Sequence, residues 1–484
     1  MSRENGSSIL LHSIDTLATF DENRRRLGDA WILVRDNRIE AVGTRGTEPG
    51  QVDQRIDLTD HVVMPGLVNT HHHQFQSLLR NIPSMQDSSL FRWLHDIYLL
   101  MSELTDEDLY VSSLINHAEL LLSGCTTTVD HHYIKVNDVR FDTCIQAARD
   151  IGIRFHLARG SFSVGQSGGG LPPDHIVEKE DDILTDCERL IQKYHDATPG
   201  AMTRVDLAPC SPFSVSPTLM KESVALARKY GVGSHTHLAE SPDDERYVRE
   251  TYGKSSVQLA EEWGWVGPDV WYAHAVTLSD DDIALMGRTR TAVAHCPNSN
   301  MYTAAGCCRV PDLLKAGATV GIGVDGSAAN NASNMIDEVR NALLLQRVFH
   351  GADSMTATQA LEIGVLGGAR LLRRDDIGVI APGMCADIIA FDTRQLPLAG
   401  GLHDPLAGLV LCETGRAGFS MVNGRVVVAG GQLVGVDLRS LVDRHNRLSK
   451  ALVERCEKRY GASLTILAWR RAFPYQTREE YAVQ

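Results

Sequence analysis

The stretch that decides the fold is His61-Val62-Val63-Met64-Pro65-Gly66-Leu67-Val68-Asn69-Thr70-His71-His72-His73. Its apolar residues predict a buried strand interrupted by a Pro-Gly bend. Successive strand residues point to opposite faces, so His71 and His73 share one face while His72 points away. Two imidazoles on one face at the carboxyl end of a buried strand make half of a metal site. Taken alone, the pattern is equally consistent with a polar strand end.

The middle of the chain, residues 61–380, alternates apolar strands with amphipathic helices. Eight strands, each followed by a helix, predict a (β/α)8 barrel. A doubly wound open sheet is the alternative, but no GxGxxG turn follows the first strand. The predicted strands lie at 61–73, 126–132, 152–160, 204–210, 231–240, 270–276, 292–300 and 319–327, and helices between them include 109–122, 182–194, 217–229 and 255–263.

Both ends of the chain have a different pattern, that of short strands joined by turns. The late hairpin carries an Asn-Gly turn, which favours a two-residue connection. Two β-rich ends that flank the barrel predict one small β-sandwich domain, built from residues 1–60 and 381–436. The strands expected in it are 9–11, 30–34, 39–42, 386–391 and the hairpin 420–428.

Two further segments have recognisable patterns. Residues 160–181 are rich in glycine and proline, and we expect a long loop over the barrel mouth. Residues 437–484 are predicted to form a helical C-terminal arm, with a helix at 438–460 and an aromatic tail at 469–481. We expect the tail to pack within the chain or against another subunit, and the protein to be a homo-oligomer.

Composition excludes several classes of partner. The net charge of −14 argues against nucleic acid and anionic membranes. No run of 18 apolar residues occurs, which argues against a membrane span. The polar start has no secretory apolar region, and the ten cysteines show no framework spacing. These features predict a cytoplasmic protein with reduced thiols.

The remaining polar residues that end predicted strands lie where barrel enzymes have their active sites. They are His237 and Glu240 after strand 5, His274 after strand 6 and Asp325 after strand 8. An unpaired imidazole or carboxylate at the end of an apolar run is costly, and a metal site accounts for all of them together. We expect His71, His73, His237 and Asp325 to bind a divalent ion. Nitrogen and oxygen ligands suit Zn²⁺, with Fe²⁺ or Mn²⁺ left open.

The other two residues suit proton chemistry. A divalent ion lowers the pKa of a bound water to about 7. Glu240 can then relay the proton of that water to a leaving nitrogen, and His274 can hold the water or polarise the attacked carbon. Two-metal hydrolases of this architecture often bridge their ions with a lysine on strand 4. Residues 204–216 contain no lysine, so we infer one metal.

Four segments together resemble the amidohydrolase superfamily, and the resemblance covers nearly the whole chain. They are Pro-Gly-Leu-Val-Asn-Thr-His-His-His at 65–73, His-Leu-Ala-Glu at 237–240, Ala-His-Ala at 273–275 and Gly-Val-Asp-Gly-Ser at 323–327. The most similar branch is that of the mononuclear-metal aminohydrolases. The resemblance implies the same metal ligands, with Asp325 also acting in catalysis beside Glu240 and His274.

Within this branch, residues 69–80, 169–173 and 207–215 most resemble 8-oxoguanine deaminases. That resemblance implies a small heterocyclic substrate and conversion of 8-oxoguanine to urate and ammonia. Four residues are candidate substrate contacts, each with an alternative role. Gln76 either contacts a purine edge or caps a helix, and Trp93 either stacks on the ring or belongs to the core. Arg159 either binds a ring carbonyl or pairs with an acidic neighbour. Cys210 either lines the pocket or is a buried small hydrophobe.

Other functions stay open at this stage. A pterin such as isoxanthopterin, or guanine, offers a similar ring edge, and an s-triazine hydrolase would release chloride or an amine. The presence of both Asp325 and Glu240 favours an amino leaving group. A non-catalytic interaction protein on this barrel is an alternative of another class, but it would be expected to have lost metal ligands, and none is lost.

Overall fold

The computed structural model describes residues 7–412 and 414–461. Eight parallel strands close into a barrel in which spatial order follows chain order, and the last strand pairs with the first through Ile322 and Asn69. The predicted (β/α)8 barrel is therefore confirmed. Its strands are Leu67–Asn69, Cys125–His132, Arg154–Ser161, Thr203–Pro209, Ser234–Leu238, Val270–His274, Ala292–His295 and Val320–Ile322, referred to below as barrel strands 1 to 8.

Helices surround the barrel, and several begin at a serine or threonine whose side chain accepts a hydrogen bond from the first turn, as at Ser216 and Ser279. The α-helices are Leu90–Met101, Asp106–Leu122, Phe141–Ile151, Glu180–Tyr194, Pro217–Tyr230, Pro242–Tyr252, Ser256–Glu262, Asp280–Thr289, Pro297–Tyr302, Val310–Ala316, Met335–His350, Ala357–Glu362, Gly368–Leu371, Pro405–Leu411 and Leu438–Tyr460. Shorter turns are the 3₁₀ helices Gln74–Leu79, Pro83–Met85, Gln166–Gly168, Asp174–Ile176 and Leu396–Leu398, and the π-helical turn Ile363–Gly367.

Barrel strand 7 is shorter than predicted. The sequence pattern indicated a strand over 292–300, but the strand ends at His295 and a short helix begins at Pro297. Proline has a fixed φ and no N–H, so it suits the first turn of a helix and cannot continue a sheet ladder. The helix Pro297–Tyr302 brings Asn300 to the barrel rim.

The opening stretch forms two strands that belong to different sheets. His61–Pro65 pairs antiparallel with Ile388–Asp392 in a seven-stranded sheet outside the barrel, whereas Leu67–Asn69 is barrel strand 1. Only Gly66 separates them, and a Cβ atom there would lie 1.9 Å from Oγ1 of Thr126. The single strand predicted for 61–73 is thus divided at the Pro-Gly bend.

Both ends of the chain build the sheets outside the barrel, as predicted. The seven-stranded sheet has the order Gln432–Leu433, Arg425–Ala429, Phe419–Val422, Ile388–Asp392, His61–Pro65, Thr16–Ala18, Arg26–Leu27. The four-stranded sheet has the order Arg38–Thr44, Ala30–Arg35, Ser8–Ile14, Gln54–Asp57. Apolar residues from both sheets, including Leu11, Ile32, Val63 and Ile388, form one buried cluster. The four-part division of the chain at 60, 380 and 436 stays a prediction.

The helix Leu438–Tyr460 lies where the sequence predicted it and packs on the helix Asp106–Leu122 and on the 3₁₀ turn Gln74–Leu79. The predicted aromatic tail at 469–481 lies outside the described residues. Among the residues that are described, no helix is long and apolar enough to cross a membrane.

Candidate metal and substrate site

The four predicted metal ligands meet at the carboxyl ends of barrel strands 1, 5 and 8. Nε2 of His71 and Nε2 of His73 each lie 3.3 Å from Oδ1 of Asp325, and Nε2 of His73 lies 3.1 Å from Nε2 of His237. All four side chains are buried. Alternation along the strand explains the first pair, because His72 points the other way and contacts the hydroxyl of Ser333.

A second layer of hydrogen bonds orients the imidazoles. Nδ1 of His235 donates to the main-chain oxygen of Trp271, so its Nε2 is free to accept a hydrogen bond from Nδ1 of His71 at 2.8 Å. Main-chain oxygens accept hydrogen bonds from Nδ1 of the other two ligands, at 2.8 Å in both cases: His73 to His131, and His237 to Cys210. In each case the Nε2 lone pair points to the centre of the site, as metal-binding histidines require.

The charges of these groups suit a divalent cation. Burial lowers the pKa of His71, His73 and His237, so the three imidazoles are neutral. Burial alone would raise the pKa of Asp325, but its close contact with His71 and the nearby rings of His274 and His73 lower it well below the usual value. Nε2 of His71 is buried and has no hydrogen-bond partner. Neutral nitrogens beside one carboxylate are a donor set for Zn²⁺ or a similar ion, so the residues fit the metal that the sequence predicted.

Glu240 and His274 lie beside the ligands. Nε2 of His274 is 3.5 Å from Oε1 of Glu240 and 3.9 Å from Oδ2 of Asp325. Burial raises the pKa of Glu240 to about 7, although His274 opposes the rise. Burial would lower the pKa of His274, but the carboxylates of Glu240 and Asp325 outweigh it and raise the value. A carboxyl group that titrates near neutrality is suited to accept and return a proton.

The main chain turns sharply where these residues leave their strands. His274 has φ = 71°, Asp325 has φ = 61°, and Ala239, next to Glu240, has φ = 52°. These values lie in the left-handed region, which residues other than glycine seldom adopt. Non-glycine residues in that region concentrate at functional sites, where the surrounding structure holds them. The backbone thus turns in this way at the ends of barrel strands 5, 6 and 8, which carry Glu240, His274 and Asp325.

A cavity lies above the cluster, and five of its fifteen lining residues are aromatic. It is lined by His73, Gln76, Leu90, Trp93, Leu94, Tyr98, Tyr133, Phe162, Cys210, Phe213, His237, Glu240, Thr303, Asp325 and Ala329. Three of the four predicted substrate contacts, Gln76, Trp93 and Cys210, are therefore at the cavity. A flat ring is a good match for such walls, because aromatic faces stack on one another.

The amide of Gln76 is held in position. Its Oε1 accepts a hydrogen bond from the main-chain N–H of Ala328, and its Nε2 donates to the hydroxyl of Tyr133. Gly326 leaves room for this amide, since a Cβ atom at 326 would lie 1.9 Å from Oε1 of Gln76. A primary amide has two N–H donors and two acceptor lone pairs, so half of its capacity is left for a ligand.

Arg159 does not lie at the cavity. Its guanidinium is buried on the outer side of the barrel, 2.8 Å from Glu178 and 3.4 Å from Asp186, and it lies over the ring of Phe141. Residues of a strand point alternately inward and outward, and this one points outward into the helix layer. Arg159 therefore has the alternative role, that of pairing with acidic neighbours. Its assignment as a substrate contact is withdrawn.

Sequence reasoning missed several residues of the site. His235 had a usable signal, because His235-Thr236-His237 repeats the alternation of strand 1 and places both rings on one face. Asn300 had none, since it belongs to the helix that replaces the end of the predicted seventh strand; its Oδ1 lies 3.0 Å from Nδ1 of His274. The cavity-lining aromatic rings of Tyr98, Tyr133 and Phe162 read as ordinary core residues.

Comparisons with known proteins agree with this geometry. The sequence matches the amidohydrolase family over residues 62–432. It is 43% identical over 425 residues to an 8-oxoguanine deaminase of Pseudomonas aeruginosa, covering 87% of this chain and 94% of that protein. It is 37% identical over 457 residues to an isoxanthopterin deaminase of an unknown prokaryotic organism, covering 90% of this chain and 94% of that protein.

A solved structure has the same architecture. The zinc complex of the atrazine chlorohydrolase TrzN from Arthrobacter aurescens TC1 superposes with a TM-score of 0.87 at 32% identity, covering 91% of this chain and all of that chain.

Proposed function

The chain belongs to the amidohydrolase family, and we propose that it is a metal-dependent aminohydrolase that converts 8-oxoguanine to urate and ammonia. The observation that carries the proposal is the complete ligand set beside the Glu240–His274 pair at the base of an aromatic cavity. The 8-oxoguanine deaminase of Pseudomonas aeruginosa, 43% identical, supports the choice of substrate.

His71, His73, His237 and Asp325 would hold the metal, and we propose one Zn²⁺ per chain. The bound ion would supply a water of lowered pKa and would polarise the reacting carbon. The three neutral imidazoles and one carboxylate support zinc, and so does the zinc-bound relative with 32% identity. Residues 204–216, around barrel strand 4, contain no lysine that could bridge two ions, which supports one ion rather than two.

The proton transfers are assigned to Glu240 and His274. Water adds to the carbon that carries the exocyclic amine, and Glu240, with a pKa of about 7, accepts a proton from that water. Glu240 then delivers the proton to the substrate as the C–N bond breaks and ammonia leaves. His274 is 3.5 Å from Glu240 and 3.9 Å from Asp325, so it can stabilise negative charge as it develops at the reacting oxygen.

Recognition of the ring is assigned to the cavity walls. Trp93, Tyr98 and Phe162 would stack on a flat heterocycle, and the unused donor and acceptor of Gln76 would be available to a purine or pterin edge. An oxidised purine has a carbonyl and a ring N–H that guanine lacks. A site with buried partners for these groups would reject guanine, because the partners would be left unpaired.

Isoxanthopterin is the second candidate, because a relative of that name is 37% identical over nearly the full length. The test is the kcat/KM of metal-loaded protein for 8-oxoguanine, guanine, isoxanthopterin and an amino- and a chloro-triazine, followed by ammonia or chloride release. We expect 8-oxoguanine to be the best substrate. If isoxanthopterin is best, only the ring size was misassigned. If guanine or a triazine is best, the proposal is wrong, and no turnover of any compound would favour a non-catalytic protein.

The homo-oligomer and the cytoplasmic location are also proposals. On the helix Met335–His350, Leu344, Val348 and Phe349 are exposed, with Val348 at 80% exposure, and exposed apolar patches mark interfaces. Val348→Asp should lower the mass measured by light scattering; an unchanged mass would mean that this face is not the interface. All ten cysteines are free, which supports a reducing compartment. Fractionation of cells that produce the protein tests the location, and recovery outside the cytoplasm would contradict it.

A further inference from the structure

The helix Leu438–Tyr460, called here the C-terminal helix, lies beyond the family match, which ends at residue 432. Near the cavity it packs against the helix Leu90–Met101 and against the 3₁₀ turn Gln74–Leu79, and this turn is called here the substrate loop. This loop directly follows the metal ligand His73 and carries Gln76. The contact therefore joins an element outside the family match to the residues that line the substrate cavity.

Two hydrogen bonds make this contact. Nε2 of His445 lies 2.9 Å from Oγ of Ser77, and Oγ of Ser449 donates to the main-chain oxygen of Leu78 at 2.6 Å. The Ser77 hydroxyl has one proton, which it can donate to the main-chain oxygen of Ser112 while it accepts a hydrogen bond from His445. His445 and Ser77 are both buried, so little water competes for these groups.

Ionic contacts fix the C-terminal helix along the barrel on both sides of this point. Arg444 pairs with Glu107, Arg455 pairs with Asp108, and Arg459 pairs with Glu103. The main-chain oxygen of Glu103 also accepts a hydrogen bond from Arg455. A helix that is held at several points can position the residues that it contacts. The C-terminal helix presents His445 and Ser449 to the substrate loop from one face, because residues four apart lie on the same side of a helix.

We propose that His445 and Ser449 are positioning residues that fix the substrate loop so that the amide of Gln76 is presented to the substrate. A 3₁₀ turn has weaker hydrogen-bond geometry than an α-helix, so a short one depends on outside contacts for a single conformation. Ser77 and Leu78 are the residues next to Gln76 in the chain. The inference rests on the proposed function in one respect, the role of Gln76 as a substrate contact.

The test compares variants of the full-length protein loaded with Zn²⁺. His445→Leu and Ser449→Ala remove the two bonds, and His445→Gln keeps an N–H donor at a similar reach. Lys450→Ala, at an exposed position of the same helix, is the control. The readouts are KM and kcat for whichever heterocycle the wild type turns over best, amide hydrogen exchange of residues 74–80, and metal content.

We expect His445→Leu and Ser449→Ala each to raise KM by about tenfold, since a buried hydrogen bond contributes on this scale. Exchange in the loop should become faster, kcat should change little, metal content should be unchanged, and His445→Gln should restore KM. Unchanged exchange or unchanged KM in both variants would overturn the proposal. If the wild type turns over none of the heterocycles, the proposed function fails, and the exchange readout still decides whether the helix holds the loop; unchanged exchange would then overturn the inference on its own.

Discussion

Nε2 of His274 and Oε1 of Glu240 are 3.5 Å apart at the rim of the barrel, and both side chains are buried. Their environments raise both pKa values, that of Glu240 through burial and that of His274 through the carboxylates that outweigh its burial. Two titratable groups this close, one of them titrating at about 7, are suited to exchange protons near neutral pH. We propose that catalysis by this site depends on that pair.

Glu240→Gln removes the proton acceptor but keeps the size of the side chain. We expect kcat to fall by about 10²–10⁴-fold, the usual effect of a missing general acid or base. Metal content should stay near that of the wild type, because Glu240 is not a predicted ligand. Glu250→Gln, at an exposed position of the following helix, is the control. A Glu240→Gln enzyme with a near-normal rate would contradict the assignment.

Asn300→Leu removes the acceptor for Nδ1–H of His274 while keeping a similar volume. The His274 ring loses its only side-chain hydrogen bond among the described residues, so we expect its orientation to relax and kcat to fall about tenfold or more. Asn300→Asp keeps an oxygen acceptor and should retain more activity than Asn300→Leu. The measurement is kcat for both variants. Equal rates for the two would argue against a role for this bond.

The proposed metal site can be tested with His72 and His73, two neighbouring histidines whose side chains point in opposite directions. His73→Ala should lose the bound ion and the activity, whereas His72→Gln, which can keep a hydrogen bond to Ser333, should retain both. Treatment of the wild type with a chelator should abolish turnover, and added Zn²⁺ should restore it. Elemental analysis and ammonia release are the measurements. Full activity in metal-free protein, or two ions in the active site, would refute the prediction.

Gly326→Ala tests the placement of Gln76. The added Cβ atom would lie 1.9 Å from Oε1 of Gln76, so the amide has to move. We expect KM to rise several-fold and metal content to be kept, although Asp325 is adjacent. Gly317→Ala is not a suitable control, because its φ of 91° adds strain; Gly415→Ala, which has open space around it, is suitable. An unchanged KM would show that Gln76 does not contact the substrate.

Acid should destabilise the protein once the pH falls below about 6.5, because buried histidines stay neutral in the folded state. Burial lowers the pKa of His117 and of His295 to about 3, whereas a histidine in the unfolded chain has a pKa of about 6.5. Between these values the unfolded chain binds more protons, so stability is full above pH 6.5 and is lost as pH falls toward 3. Each histidine contributes up to about 1.4 kcal/mol per pH unit.

The measurement is Tm at pH 7.5 and at pH 5.5. His117→Leu should reduce the difference between the two, because it removes one of these groups, and His403→Leu, at an exposed position, should not. Equal differences in wild type and His117→Leu would mean that His117 does not contribute to the acid sensitivity.

Periodicity was sufficient to predict the barrel and the rim at which the proposed ligands meet. The alternation in His71-His72-His73 and the apolar runs that precede His237, His274 and Asp325 are local signals, and the closed barrel brings their ends together. The Pro-Gly bend was predictable, but the assignment of its two sides to different sheets was not, because the apolar pattern is the same on both sides of the bend. What decides it is the pairing with Ile388–Asp392, more than 300 residues later.

The outer layer of the site depends on contacts that sequence patterns do not specify. Arg159 lies on a buried strand and Trp93 lies on a helix, yet Arg159 faces acidic side chains and Trp93 faces the cavity. Asn300 reaches His274 only because strand 7 ends early at a proline. Side-chain partners of this kind are set by register and helix placement, which a single sequence leaves open.

The crossover at Gly66 has a consequence for protein engineering. The sheet strand His61–Pro65 and the barrel strand Leu67–Asn69 share one glycine as their linker, and the first proposed metal ligand, His71, follows two residues after the barrel strand. The connection between these two strands is too short to accept an inserted linker. A barrel cut out at Gly66 would start with its catalytic strand unanchored, so this scaffold can be transplanted, permuted or fused only as a unit that includes both β-rich ends.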